Sequence, residues 1–416
     1  MNHHITTHAQ RVEIIERHAQ GTSYHAIAND LRLNYYTVRK WCRRYRKGGW
    51  DSLKPQRTVV RQPLMTFHPL VKYGLLKLKR QHPGWGLDKL RLELQRRSSL
   101  RPYPLPKRST LHSYLKQFYP RLREHRPVPT QRPAHGSPRA QAVHEQWQID
   151  FKGEYRLTTI GAVKPLNICD EFSSAPLASI IHSGQRGAVT MRHVQQDLRQ
   201  VFTQWGLPDG LRMDRDPTWV GSSRLEFPSF LMLWLVGLGI QPIVNRPHHP
   251  TDNAQIERCN GIWVEQIGRG ASPDSYRALQ TMADAAWQDR RDFLPSRNPH
   301  CAGLPPTQAL PALLVPRRSF SALTEAELFD MQRVDTYLTQ WRWQRQVDST
   351  GQISLGGCNR RVSKQHAGQV VSIRFEVVAR HFAVQSVDGQ ALASFVLPIL
   401  DPSFIRGTGS SLLDTS

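Results

Sequence analysis

Residues 145–151 read Glu145-Gln146-Trp147-Gln148-Ile149-Asp150-Phe151. Polar and apolar side chains alternate, with Trp147 and Ile149 on one side, and a period of two marks a β-strand with one buried face. The strand closes on an acid, Asp150. Downstream, 166–169 and 176–182 are strand-like as well, and 189–205 is an amphipathic helix with Val194, Leu198, Val201, Phe202 and Trp205 at helical spacing. A short strand at 211–213 and an apolar helix at 227–238 come next. A strand at 240–244 and a helical part beginning at 253–268, with Ile256, Val264 and Ile267 inward, complete the pattern. Three strands, then helix, strand, helix, strand and further helices spell an α/β layer fold.

Upstream the pattern is helical. Val12, Ile15 and Ala19 mark one face of a first helix, Gly21 stands where a C-terminal cap belongs, and Ser23 opens a second helix with Ala26, Ile27 and Leu31. Asn34 caps a third, with Val38, Trp41 and Tyr45 inward and Arg39, Lys40, Arg43, Arg44, Arg46 and Lys47 on its polar side. Two short helices, a turn and a basic third helix predict a helix-turn-helix, whose last helix enters the DNA major groove. A second such unit is expected from 70–81, 87–95 and a segment capped by Ser109, with His82-Pro83-Gly84-Trp85-Gly86 as the break between the first two. From 126 to 140 the composition turns to Pro, Arg, Gln and Ser, a linker.

Charge is segregated in the same way. The formal net charge is +23; residues 1–140 hold 29 Lys and Arg against 7 Asp and Glu, whereas 141–416 hold 27 against 26. A basic first third on a near-neutral remainder points to one part that finds a polyanion and another with a different task. The five cysteines, Cys42, Cys169, Cys259, Cys301 and Cys358, form no C-x-x-C pair, so neither a disulfide framework nor a zinc site is expected, which fits a reducing cytoplasm. The start of the chain is polar, without a signal-peptide core. The longest apolar run, 227–240, is too short to span a bilayer. After Pro316 a helix over 324–340 and short strands at 370–377 and 382–387 predict a small β-barrel or sandwich. A disordered tail is expected from Gly407 onward.

Three acids stand at telling positions. Asp150 ends the first strand and Asp214 ends Leu211-Arg212-Met213-Asp214, while Glu257 lies near the first turn of a helix, where the helix dipole favours negative charge. Open α/β sheets place their sites at strand ends. Three clustered carboxylates suit Mg²⁺, a hard ion that prefers oxygen, and a pair of such ions serves phosphodiester displacement. Asp216 is a rival for the second position and Asp170 a weaker candidate. Asp252 and Asn253 read as loop and cap residues, with Asn253 a candidate to orient Glu257. Glu265 reads as a helix-surface residue, and His248 and His249 as exposed loop residues within reach of phosphate. A phosphate-cradling G-x-x-x-x-G-K is absent from the sequence.

These residues also carry a family likeness. Trp147-Gln148-Ile149-Asp150, then Gly206-Leu207-Pro208-Asp209-Gly210-Leu211-Arg212-Met213-Asp214, then Pro247-His248-His249-Pro250-Thr251-Asp252-Asn253-Ala254-Gln255-Ile256-Glu257-Arg258 resemble the three acid-bearing segments of insertion-sequence transposases with a retroviral-integrase-like (D-D-E) core. Arg297-Asn298-Pro299-His300 followed by Pro305-Pro306-Thr307 resembles the segment that closes that core. Three features depart from the pattern. Arg215-Asp216 stands where Asn-Gly is usual, and 42 residues separate Asp214 from Glu257, which implies an insertion near 222–228. Val264 occupies a position that many relatives give to a basic residue.

The resemblance implies a ribonuclease H-like core behind helix-turn-helix modules and an SH3-like barrel after it. The expected division is 1–55 helix-turn-helix, 56–125 second helix-turn-helix-like domain, 126–143 linker, 144–312 catalytic core, 313–340 helical connector, 341–400 small β-barrel and 401–416 tail. It further implies a DNA transposase in which Asp150, Asp214 and Glu257 hold Mg²⁺, with Mn²⁺ able to substitute. Arg39, Lys40, Arg43, Arg44 and Lys47 are the expected contacts to double-stranded DNA. Two element ends must be paired, so a homo-oligomer on DNA is expected, in a cytoplasmic, nucleoid-associated and bacterial setting without membrane attachment. The rivals are a DNA-binding regulator with a dead core and a nuclease on the same fold.

Overall fold

The computed structural model describes residues 6–54, 64–119, 139–185, 187–220, 227–246 and 250–408. It divides into two compact units, Met1–Met65 and Thr66–Ser416.

In the first unit, α1 (His8–Ala19), α2 (Tyr24–Asp30) and α3 (Tyr35–Gly48) pack around Ile14, Ile15, Ile27, Ala28, Val38, Trp41, Cys42 and Leu53. Ser23 accepts from the Ala26 N–H and Asn34 from the Tyr36 N–H, so the expected caps are in place. The buried faces turn slightly from expectation. Ile14 shares the first with Ile15 while Ala19 is exposed, and Ala28 replaces Ala26 in the second.

The second unit opens with α4 (Pro69–Gln81), α5 (Leu87–Arg96) and α6 (Arg108–Phe118). Lys107 is the cap residue of α6, so Ser109 lies inside the helix rather than at its start. This triplet docks on the α/β core, and the joint at 82–86, expected to be a mere break, makes the contact. The Trp85 indole donates to the Gln266 carbonyl at 3.1 Å, and a Cβ on Gly84 would sit 1.7 Å from the Glu265 carbonyl oxygen, so only glycine permits the approach. Lys89 and Arg96 both pair with the buried Asp289.

The central sheet contains β1 (Gln146–Phe151), β2 (Tyr155–Leu157), β3 (Gly161–Asp170), β4 (Pro176–Ser183), β5 (Gly210–Met213) and β6 (Gln241–Val244). β1 lies between β3, antiparallel, and β5, parallel; β6 extends the parallel side, and both β2 and β4 pair with β3. The helices α7 (Met191–Trp205), α8 (Pro217–Val220) and α9 (Phe230–Gly237) intervene, and every residue of α9 after Phe230 is buried. α10 (Ala254–Trp263) runs into one π-helical turn, Val264–Gly268, before α11 (Tyr276–Asp292). An α/β core with helical regions before it in sequence is thus the architecture the chain adopts.

Beyond α12 (Pro306–Ala309) the expected helix over 324–340 is two helices, α13 (Glu325–Leu328) and α14 (Met331–Thr339). The break has a cause. Asp330 caps α14 by accepting from Gln332, its own N–H donates to the Gly237 carbonyl, and Phe329 fills the space that Gly237 leaves without a side chain. The strands β7 (Arg342–Gln346), β8 (Gln352–Leu355), β9 (Cys358–Arg361), β10 (Val370–Glu376), β11 (His381–Gln385) and β12 (Ala391–Phe395) form a four-stranded sheet, in the order β12-β11-β10-β7, and a separate hairpin of β8 and β9. The expected closed SH3-like barrel is not formed among the described residues, since β12 and β7 remain edges. These strands share one apolar core with the central sheet instead of enclosing their own.

Residues 401–408 of the expected tail are described and carry a helix. α15 (Pro402–Arg406) is held by Arg192 and Gln195, which donate to the Phe404 and Ile405 carbonyls. The end of the linker, from Arg139, also lies on the core, where Arg139 pairs with Glu171 at 3.1 Å. The rest of the linker, residues 222–226 of the insertion expected near 222–228, His248, His249 and the tail from 409 fall outside the described residues.

Candidate active site

β1 runs in register with β5 as far as Gln148 opposite Arg212; Asp150 stands two residues further along β1, and Asp214 one residue past the end of β5. Side chains two apart on a strand share a face. The sequence therefore brings the two acids to neighbouring strand ends by continuing one register.

Each is held by a different neighbour. Asp214 Oδ1 accepts from the Trp219 indole at 2.9 Å and from the Asp216 N–H at 2.9 Å. The Trp219 ring stacks on Phe151, 5.0 Å between centroids and 5° from parallel. Asp150 Oδ2 accepts from Asn260 Nδ2 at 2.7 Å, and Asn260 Oδ1 accepts from Asn167 Nδ2 at 2.7 Å. Gln148 binds the start of α10, accepting from the Ile256 N–H at 3.0 Å and donating to Gln255 Oε1 at 3.1 Å. The first N–H groups of a helix have no partner within it, so a buried glutamine there satisfies a real need. None of Trp219, Asn260, Asn167 and Gln148 stands out in the sequence, because neutral residues carry no chemistry of their own.

Glu257 lies on the exposed side of α10, one turn before Asn260. Burial, and next the negative charge of Asp214, push the Asp150 carboxyl up to about 7, with Glu257 adding to the rise and the Asn260 hydrogen bond opposing it. Asp214 and Glu257 therefore both act on Asp150. Among the described residues, however, no group of three or more His, Cys, Asp or Glu side chains converges closely enough to hold a metal ion as placed. Like charges repel, so neighbouring carboxylates stay in one another's field without converging. The donor set fits a hard divalent cation, since all three are carboxylates and a cation relieves the repulsion that raises Asp150.

The other candidates have structural employment. Asp216 accepts from the Thr218 N–H at the start of α8 and lies 3.9 Å from Lys164. Asp170 is fully buried and accepts from the His144 N–H and from Ser173. Asp252 takes both arms of Arg246, and Asn253 precedes α10 without a side-chain capping bond. Glu265 is half-buried in the π-helical turn, not on an open helix surface, and the loop around Gly84 packs on its carbonyl. Asn298 ties the closing segment to the Phe172 carbonyl and Ser174.

On α3, Arg39, Lys40, Arg43, Arg46 and Lys47 are exposed. Arg44 is half-buried with its guanidinium 5.2 Å from the Trp41 ring centre.

Residues 10–59 match the model of a helix-turn-helix domain. A curated relative, an uncharacterized 39.2 kDa protein of insertion element IS476 from Xanthomonas euvesicatoria, is 27% identical over 168 residues, which cover 40% of this chain and 44% of that protein. Over that stretch the chain is similar to an insertion-element protein. It spans less than half the length of the IS476 protein that it matches.

Among solved structures, the catalytic core of HTLV-2 integrase in complex with magnesium, in its trimeric form, is 16% identical. It aligns over 41% of this chain and 99% of its own, with a TM-score of 0.30. The simian T-cell lymphotropic virus intasome, in complex with a PP2A regulatory subunit, is 15% identical over 78% of this chain and 99% of its own, with a TM-score of 0.35. No helix among the described residues is long and apolar enough to cross a membrane.

Proposed function

We propose that this chain is a DNA transposase, which binds the ends of a mobile element, cuts a strand at each and joins the freed 3′ ends to target DNA. The observation that supports this most is the placing of Asp150 and Asp214 at adjacent strand ends, beside a helix that carries Glu257 and is fastened to the same strand by Gln148 and Asn260. Asp150, Asp214 and Glu257 would hold Mg²⁺, with Mn²⁺ able to replace it. When bound, such ions activate an attacking oxygen and stabilise a leaving one in phosphodiester displacement. Trp219 orients Asp214, and Asn260 orients Asp150. Arg39, Lys40, Arg43, Arg44 and Lys47 supply phosphate and base contacts to the element ends, most of the affinity coming from phosphate. Two ends have to meet, so the working form is a homo-oligomer on double-stranded DNA, in the cytoplasm at the nucleoid.

The test is a strand-transfer assay. The full chain, Mg²⁺, labelled duplexes from the DNA flanking the gene and a plasmid target should yield covalently joined donor and target. Cut but never joined products would make it a nuclease. End binding without nicking would make it a regulator.

A further inference from the structure

We infer that Arg258, Arg290 and Arg297 form a surface that takes the phosphate backbone of duplex DNA, beside the acid carried by α10. The inference rests on the reading of the chain as one that handles duplex DNA.

Three elements remote from one another in sequence are fastened around the turn that joins β3 to β4. α10 reaches it through Cys259, which packs on Cys169 near the end of β3. α11 reaches it through Arg291, which donates to the Pro176 carbonyl at 3.0 Å. The closing segment reaches it through Asn298, which donates to the Phe172 carbonyl at 2.8 Å and to Ser174 at 2.9 Å. Each anchor has an arginine just before it in the chain: Arg258 before Cys259, Arg290 before Arg291 and Arg297 before Asn298. Consecutive residues are less than about 4 Å apart along the backbone, so three anchors on one turn gather three arginines.

Arg258 and Arg297 are exposed and Arg290 is half-buried. Burial pushes the Arg290 guanidinium below its ordinary value; Cys259 opposes this, the charges of Arg297 and Arg258 add to it, and Asp88 works against it. That one acid is already paired with Arg108, at the start of α6, at 3.2 Å. Among the described residues, the side chains of the three arginines have neither a hydrogen bond nor an ion pair. Their neighbours differ. Asp289 takes Lys89 and Arg96, and Arg291 is occupied by strand carbonyls. An arginine keeps its proton, so it cannot escape like-charged neighbours by becoming neutral. An anion from outside has to supply the acceptors.

Duplex DNA carries one negative charge per about 1.7 Å of its axis, so a short length of backbone engages several guanidinium groups at once. Arg258 follows Glu257 directly on α10, and successive side chains diverge by about 100° around a helix. Backbone held by the arginines therefore runs along the flank of α10 next to the exposed acid. The surface belongs to the second unit and α3 to the first, so the two contribute separately to binding.

Four variants of the full chain test this: Arg258→Gln, Arg297→Gln, Arg290→Lys, and the three arginines all changed to Gln. Affinity for two labelled duplexes, one from the DNA flanking the gene and one unrelated, is measured over a range of salt concentrations. Chelator is present throughout, so metal plays no part. Each single Gln variant should lower the slope of log K against log salt by about 1, and the triple variant by about 3. The loss should be equal for both duplexes, because phosphate contacts carry no sequence information. Arg290→Lys keeps the charge and should keep the slope. The Tm of DNA-free protein should stay the same or rise, since like charges are removed and no bond is broken.

An unchanged slope in the triple variant overturns the inference. So does a loss confined to the flanking duplex, which would mean base reading, or a lowered Tm in the single Gln variants, which would mean acceptors inside the protein. If the slope depends on the three arginines yet the unsubstituted chain never joins DNA, the transposase reading fails and the surface stands.

Discussion

The indole N–H of Trp219 donates to Asp214 Oδ1 at 2.9 Å while its ring lies flat on Phe151, so one side chain ties the end of β5 to the end of β1. Trp219→Phe preserves the stacked ring and removes only the donor. The expected outcome is a folded protein with normal end binding and a cleavage rate lower by about 10-fold, since outer hydrogen bonds to metal ligands carry effects of that order. Single-turnover cleavage beside a gel shift checks it, and an unchanged rate would remove Trp219 from the site.

Asp150→Asn, Asp214→Asn and Glu257→Gln should each abolish cutting and leave end binding intact, whereas Asp216→Asn should still cut. Asp216 holds the start of α8, so its loss is expected to cost stability of about 1 kcal/mol rather than chemistry. A dead Asp216→Asn beside an active Asp214→Asn would reverse the assignment.

Asp150→Asn should also raise the Tm of metal-free protein by a few degrees, because it removes a half-buried charge that Asp214 and Glu257 oppose. Differential scanning calorimetry in chelator reads this directly. A lowered Tm would mean that repulsion at the site is negligible.

The docking of α4–α6 should depend on pH through Asp289. Burial alone would raise this carboxyl, but hydrogen bonds from Arg96 and Lys89 outweigh it and hold the group below the ordinary carboxylate value. A depressed folded-state value means that the contribution is complete above the unfolded value near pH 4 and is lost as pH falls through the lower folded one. Asp289→Asn should flatten that acid limb in urea titrations. Asp289→Ala removes one of the two carboxylates that hold the buried Lys89, the other being Glu93 at 2.8 Å, and should cost about 1.5–3 kcal/mol at neutral pH.

On α3, Arg39→Ala and Arg43→Ala should each weaken end binding and lower the slope of log K against log salt by about 1. Arg44→Ala should in addition cost about 0.5–1 kcal/mol of stability, because its guanidinium lies over Trp41. Salt-dependent binding isotherms and urea titration of the same proteins separate the two effects.

Much of the fold is legible in the residues. The alternation around Trp147 and Ile149, the helical spacing from Val194 to Trp205 and the caps Ser23 and Asn34 mark the elements, since periodicity and local capping are properties of neighbours in sequence. The helix expected over 324–340 divides in two because the break at Phe329 and Asp330 depends on Gly237, far away in the chain. The closed barrel fails as an expectation for a related reason. Turn signals identify strands, but closure depends on whether the edges meet, and here the strands pack on the central core instead. The joint at 82–86 has the composition of a spacer and is a docking surface, because its partner Glu265 is remote.

By itself the sequence determined most of the strands, helices and caps and the acids near strand ends, because those properties are set within a few residues of each other. Only the tertiary structure decided that Asn260, Asn167, Gln148 and Trp219 attend the acids and that Asp170 and Asp216 are occupied elsewhere. A hydrogen bond between side chains more than a hundred positions apart, such as that from Asn260 to Asp150, leaves no period or spacing to read; it exists only once strand and helix have been packed together.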